Sequence, residues 1–283
     1  MISGKTKTLS LIGHPVEHSF SPIMHNAAIK ELNLNYIYTA YDVHPDKLKD
    51  AIKGIIALGI KGANVTIPHK ENVIQYLDEI DSTAKKMGAV NTIKNEAGYL
   101  MAKNTDGPGA RKSMEDAGWT ISNKKILLVG AGGVARALCY FLADAEQIVA
   151  TDIVEEKAIN LSKEVGEKMD ANIVGKANTY ENLAEEIKTA DILINATPLG
   201  MFPKINATAI PKELLNEKLM VFDVVYNPTQ TKLLREASEA GCEILGGLDM
   251  LVNQGVLAFE WWTGVTPNSK LMKHKIIDFL GLK

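Results

Sequence analysis

The chain alternates short apolar runs with amphipathic stretches almost from its start. Apolar and β-branched residues crowd positions 8–12, 36–43 and 62–67, which predicts strands. The apolar spacing in 22–31 and 45–58 predicts helices, and Pro22 and Pro45 stand where a helix's first turn needs no N–H. This βαβ rhythm implies a parallel sheet covered by helices. A second unit begins near Asn123. The run Ile126-Leu127-Leu128-Val129 is apolar at every position, as a strand buried on both faces requires. Further strands are expected at 148–151, 191–196, 219–225 and 243–245, separated by helical patterns, and that succession describes a doubly wound sheet. The tail differs, since 248–263 and 269–280 read as two helices.

Composition narrows the class. At 283 residues the chain accommodates two domains of roughly 100–200 residues each. A make-up of 46% hydrophobic and 23% charged residues suits a globular protein with a sizeable core. The net charge of -3 argues against a nucleic-acid partner, which would demand a surplus of Lys and Arg. Cys139 and Cys242 lie in apolar surroundings without metal-type spacing and read as small buried hydrophobes in a reducing compartment. The most apolar stretch, 126–143, carries Arg136 and glycine–alanine turn signals, so it is no membrane span, and the amino terminus has no signal-peptide core. The expectation is a cytoplasmic protein without a membrane partner.

Gly130-Ala131-Gly132-Gly133-Val134-Ala135 follows the buried strand directly and opens a helix expected over 134–142. Gly130 would permit a tight turn, Gly132 would admit a pyrophosphate to the backbone, and Ala135 would let the helix settle on the sheet. A glycine pattern alone also fits a plain turn; the strand before it and the helix after it favour a dinucleotide site. Twenty-two positions after Gly130 comes Asp152, near the spacing at which a carboxylate meets an adenosine ribose. Such a carboxylate repels a 2′-phosphate. It would also serve as an N-cap ahead of Glu155.

Polar clusters stand at the expected strand ends, where open α/β sheets place ligands. Ser19 and Ser21 offer two hydroxyls to a polyol, although Ser21 before Pro22, taken alone, reads better as a helix N-cap. His14, His18 and His25 invite a metal reading, but Pro15 keeps the first two off one helix face and no carboxylate or cysteine completes a set, so no metal is expected. Asn64 and Thr66 alternate onto one face of a strand end, Pro68 stops the sheet, and Lys70 follows in the turn. Asn91 and Asp106 sit in two more such clusters, Gly88–Thr92 and Asn104–Gly107. By themselves Lys70 fits a solvated surface lysine and Asp106 a helix cap. A Lys–Asp pair would also make a proton relay for an alcohol.

These motifs, with Asn195-Ala196-Thr197-Pro198-Leu199-Gly200-Met201 and Gly246-Gly247-Leu248-Asp249-Met250-Leu251-Val252, occur in an order that resembles the shikimate dehydrogenase family over essentially the whole chain. The resemblance implies an N-terminal α/β substrate domain (1–105 with 247–283), a doubly wound Rossmann domain (106–246), and C-terminal helices that return to the first domain. It pairs Lys70 with Asp106 as a catalytic dyad. It assigns Ser19, Ser21, Asn64, Thr66, Asn91, Tyr226 and Gln254 to the substrate, and Thr197, Met201 and Gly247 to the cofactor beside the Gly130–Ala135 loop. The implied reaction is hydride transfer between a nicotinamide and shikimate or 3-dehydroshikimate. An enzyme of the same fold acting mainly on quinate and a non-catalytic nucleotide-binding homologue are the competing readings, and the chain leaves room for a homodimer.

One stretch departs from the family pattern. After the second Rossmann strand, Asp152-Ile153-Val154-Glu155-Glu156-Lys157-Ala158 replaces the usual Asn-Arg-Thr-x-x-(Arg/Lys)-Ala. Ile153 stands where the phosphate-binding arginine would be, and Asp152 adds an anion. NAD is therefore expected ahead of NADP, with Lys157 as a cation that would rescue some NADP binding.

Overall fold

The apolar runs become the inner strands of two sheets, one in each of two units. The computed structural model describes residues 2–281. One unit comprises the chain up to Thr105 together with the stretch from Val252 onward, and the other is Asp106–Leu251. The second unit thus runs five residues past 246, so that Gly247–Leu251 group with it.

The first unit contains, in order, β1 (Lys7–Gly13), α1 (Ser21–Glu31), β2 (Tyr36–Asp42), α2 (Leu48–Ala57), β3 (Gly62–Val65), β4 (Glu79–Ile80), α3 (Ser82–Met87), β5 (Thr92–Glu96) and β6 (Tyr99–Lys103). Its sheet order is β2-β1-β3-β5-β6-β4. The βαβ segment gives the expected parallel pairs β1/β2 and β1/β3. The sheet as a whole is mixed, because β5 runs antiparallel to both β3 and β6. A tight turn at Ala97 and Gly98, both at positive φ, folds β6 back on β5, and Asn95 Oδ1 accepts the Gly98 N–H at 2.8 Å. Ala-Gly is a weak hairpin signal, and apolar alternation alone did not separate these two short strands. Pro45 opens a short 3-10 turn, Pro45–Lys47, and the α-helix itself begins at Leu48.

The second unit contains α4 (Asp106–Asp116), β7 (Lys125–Val129), α5 (Gly133–Phe141), β8 (Gln147–Asp152), α6 (Glu155–Met169), β9 (Ile173–Ala177), α7 (Tyr180–Glu186), β10 (Ile192–Asn195), β11 (Met220–Asp223), α8 (Lys232–Glu239) and β12 (Glu243–Gly246). Its sheet order is β12-β11-β10-β7-β8-β9, and every pair is parallel. Counted within the unit this is 6-5-4-1-2-3, the doubly wound Rossmann arrangement with its switch point between β7 and β10. Leu127, Val129, Leu193 and Val221 are buried in its core.

Two helices close the chain, α9 (Gly247–Thr263) and α10 (Ser269–Phe279). From Val252 they belong to the first unit: Trp262 Nε1 donates to Ile93 O at 2.8 Å, and the Asn268 side chain donates to Glu31 at 3.1 Å. Both cysteines are buried thiols, and burial pushes Cys139 up to about 12. Among the described residues, no helix is long and apolar enough to cross a membrane.

Candidate active site

In the first unit the polar residues from separate motifs form one network at the ends of β3 and β5. Asn64 Nδ2 donates to Asn91 O and to Thr92 Oγ1, both at 3.3 Å, and Asn64 Oδ1 accepts from the Tyr38 hydroxyl at 2.7 Å. Asn91 Oδ1 accepts from Thr92 Oγ1 at 2.9 Å and from the Thr105 N–H at 2.7 Å. Lys70 O accepts the Val90 N–H at 2.9 Å. The backbone of Lys70 is therefore tied one residue before Asn91, while Thr105, bonded to Asn91 itself, immediately precedes Asp106. Asn64, Asn91, Thr92 and Thr105 are all buried. Thr66 follows β3, with its N–H on Ile12 O at 2.9 Å.

Ser21 is not the cap of α1. Phe20 occupies the N-cap position in helical φ and ψ with no side-chain bond, and Ser21 is the first helical residue. Ser19 Oγ instead accepts the Ser21 N–H at 3.2 Å. The Ser21 hydroxyl lies against the Tyr38 phenol, which burial pushes far above its ordinary pKa. His14 pairs with Asp42 at 2.7 Å, whereas His25 is buried in an aromatic stack. Among the described residues no three His, Cys, Asp or Glu side chains are grouped to hold a metal. Gln254 is a buried residue of α9.

In the second unit Asp106 is the first residue of α4 rather than the residue before it, so its carboxylate lies in the first turn, where the helix dipole favours an anion. The glycine loop has the geometry a dinucleotide needs. Gly130 has φ +106°, and a Cβ there would press on Ala196 O at 3.0 Å, so only glycine makes this turn. At Gly132, the N-cap of α5, and at Gly133 a Cβ would meet nothing within 4 Å. Protein packing does not demand glycine at these two positions; the open space over backbone N–H groups at a helix start suits a pyrophosphate. Ala135 is fully buried, and Ala131 and Val134 lie within the loop. Asp152 does not cap α6, whose N-cap is Val154 without a side-chain bond. Its carboxylate accepts the Ala131 N–H and the Val154 N–H, each at 2.9 Å, which fastens the end of β8 to the glycine loop.

Beyond β10, Asn195 Oδ1 accepts from the Thr197 hydroxyl at 2.7 Å, and Asn195 Nδ2 donates to Asp223 at 2.9 Å. Asp223 is fully buried, which pushes its carboxyl upward, against donation from Thr231 Oγ1 at 2.6 Å, from the Val225 N–H and from Asn195. This one carboxylate ties the turn bearing Thr197 to the turn bearing Tyr226, whose phenol is also pushed upward by burial. Met201 is 45% exposed, and Gly247 packs directly against the Val224 carbonyl. Sequence reasoning missed Tyr38 and Asp223. A tyrosine amid apolar strand residues, whose hydroxyl needs a buried partner, was the available signal for the first.

Three family models match the chain: the shikimate dehydrogenase substrate binding domain over residues 11–93, the saccharopine dehydrogenase NADP binding domain over 126–245, and the shikimate 5′-dehydrogenase C-terminal domain over 247–277. A shikimate dehydrogenase (NADP(+)) of Methanocaldococcus jannaschii is 50% identical over 98% of this chain and 99% of its own length. A crystal structure of a shikimate dehydrogenase in complex with NADP+ aligns at TM-score 0.92 and 48% identity, over 99% of this chain and 97% of that one. A shikimate 5-dehydrogenase from Listeria monocytogenes, in complex with shikimate and NAD, aligns at TM-score 0.92 and 38% identity, over 97% and 98% of the two chains. With half of its residues identical to a relative over nearly the full length of both, and with shikimate dehydrogenase models matching residues 11–93 and 247–277, the chain belongs to the shikimate dehydrogenase family.

Proposed function

We propose that this chain catalyses reversible hydride transfer between shikimate and 3-dehydroshikimate with a nicotinamide dinucleotide. The observation that carries the proposal is the buried Asn64–Asn91–Thr105 network, from which both Lys70 and Asp106 depart. Family membership supports the same chemistry. A bound nicotinamide supplies the two-electron hydride acceptor. Around the sugar-like ring, Ser19, Ser21, Asn64, Thr66, Asn91, Tyr226 and Gln254 bind and orient the hydroxyls and carboxylate. The neutral Lys70 amine meets the oxygen of the reacting alcohol and takes its proton as the ketone forms, and the ammonium so made returns it in reduction. Asp106 orients that ammonium. On the Rossmann side the Gly130–Ala135 loop and the start of α5 hold the pyrophosphate, with Thr197, Met201 and Gly247 toward the nicotinamide.

We further propose that NAD is preferred over NADP. The Asp152 carboxylate at the end of β8 and the 87% exposed, uncharged Ile153 beside it support this reading, because neither welcomes a 2′-phosphate. The two buried thiols support a reducing, cytoplasmic setting.

Purified protein with shikimate and either cofactor, followed by absorbance of reduced nicotinamide, tests both statements. Turnover with shikimate is expected, with kcat/KM for NAD at least about tenfold above that for NADP, a difference of about 1.4 kcal/mol. NADP preference would sink the cofactor assignment and leave the activity standing. Lys70→Ala is expected to lower kcat by roughly 10²- to 10⁴-fold, the range of general acid–base catalysis, with cofactor binding retained. Undiminished turnover would remove Lys70 from the chemistry.

A further inference from the structure

We infer that Tyr38 is a positioning residue for substrate binding: its hydroxyl holds the Asn64 carboxamide with the N–H end available to a substrate hydroxyl. The inference rests on the proposed role of Asn64 as a substrate contact.

Constraints converge on this tyrosine from several elements of the first unit. Two come from consecutive residues of α1. Asn26 Nδ2 donates to Tyr38 O at 2.8 Å, and Asn26 Oδ1 accepts the Tyr38 N–H at 2.9 Å. β2 is an edge strand, so this one amide occupies the backbone groups of Tyr38 that a neighbouring strand would otherwise pair. His25 lies flat on the Tyr38 ring, with centroids 4.4 Å apart and planes 11° from parallel. From α9, Trp262 approaches the same ring at 6.2 Å and is itself pinned to Ile93 O at 2.8 Å. With backbone and ring both held, the direction of the hydroxyl is set, and it donates to Asn64 Oδ1 at 2.7 Å.

The consequence lies in the two-ended chemistry of an amide. Asparagine accepts at Oδ1 and donates at Nδ2, and a flip exchanges the ends. A phenol hydrogen at 2.7 Å demands the acceptor, so Tyr38 selects one of the two orientations. The Nδ2 end is then left on Asn91 O and Thr92 Oγ1 at 3.3 Å each, beyond the usual 2.7–3.2 Å of N–H···O bonds. Bonds that long are readily exchanged for a ligand oxygen, whereas the short bond to Tyr38 persists. Tyr38 is 2% exposed and its ring contacts are to aromatic groups, so phenylalanine would fill the space without burying a hydroxyl. The hydroxyl is explained by what it does to Asn64. Ser21, a second proposed substrate contact, lies beside the same phenol.

Tyr38→Phe keeps the stack and removes the oxygen. The expected result is a KM for shikimate raised about tenfold, with kcat within about twofold, an unchanged KM for the cofactor and near-native thermal stability. In an Asn64→Ala background the same substitution is expected to add far less, since the main group it positions is gone and only the contact with Ser21 remains. An unchanged KM for shikimate overturns the inference. So does an equal increase in the Asn64→Ala background, or a parallel loss of kcat, cofactor affinity and stability, which would mark a purely structural tyrosine. A wild-type chain that turns over no shikimate would sink the proposed function and this inference with it; an active wild type with an indifferent Tyr38→Phe would sink the inference alone.

Discussion

Two adjacent side chains at the end of β8 bear on cofactor choice in different ways. Asp152 is committed to backbone donors on the glycine loop and beside α6, so its negative charge is fixed in place. Ile153 is exposed and free of polar partners by its chemistry. An arginine there would offer a planar fork of donors to a 2′-phosphate. Ile153→Arg is therefore expected to raise kcat/KM for NADP by about tenfold while leaving NAD little changed, a shift near 1.4 kcal/mol in discrimination. Steady-state kinetics with both cofactors check it, and an unmoved ratio would mean that the choice is made elsewhere. Asp152 was legible in the sequence from its spacing after Gly130, and Ile153 from its register with the pattern of the family that the chain resembles. The anchoring of Asp152 to Ala131 was not, because a hydrogen bond between residues that far apart in the chain leaves no local pattern.

At the scale of elements, α6 and β9 show how close packing hides from periodicity. β9 is an edge strand in which all five residues are only partly buried, so no apolar alternation announces it, and sequence reading passed over it. Its middle residue, Gly175, lies where a Cβ would collide with the Ala158 carbonyl of α6. Relief requires one element to shift against the other. Gly175→Ala is expected to destabilise the chain by roughly 1–3 kcal/mol, the usual cost of overpacking, and to lower the melting temperature by several degrees. A thermal melt within about one degree of wild type would show that the helix yields freely. The inner strands β7, β10 and β11 were legible for the opposite reason: burial on both faces makes every position apolar except one at an end of each strand.

For the whole molecule the most consequential titratable group is His25. It is fully buried among Tyr38, Phe259 and Trp262, and neither ring nitrogen has a hydrogen-bond partner. Burial pushes its pKa down from 6.5 to about 3. The unfolded chain therefore binds this proton as the pH falls below 6.5, whereas the folded chain refuses it until about 3. Stability is expected to fall across that window by about 1.4 kcal/mol per pH unit, or about 2 kcal/mol at pH 5. Thermal melts at pH 7.5 and pH 5 measure the loss. His25→Leu should show a smaller pH dependence, and an equal drop in that variant would assign the acid lability to other groups. Nothing in the sequence foretold this state, since a histidine on an amphipathic helix face reads the same whether its neighbours are aromatic or wet.

The sequence by itself determined what local rules can carry: the Rossmann strands other than β9 from their apolar runs, the nucleotide loop from its glycines between a strand and a helix, and the polar motifs at strand ends. These signals are local because backbone conformation and burial act over a few residues. Tertiary structure alone decided the reversal of β5 in the first sheet, the release of Ser21 and Asp152 from the capping roles their neighbours suggested, and the joining of Tyr38, Asn64, Asn91 and Thr105 into one buried network. Each depends on which distant group satisfies a buried polar atom. That partner is chosen by chain topology, so no stretch of the sequence taken alone contains it.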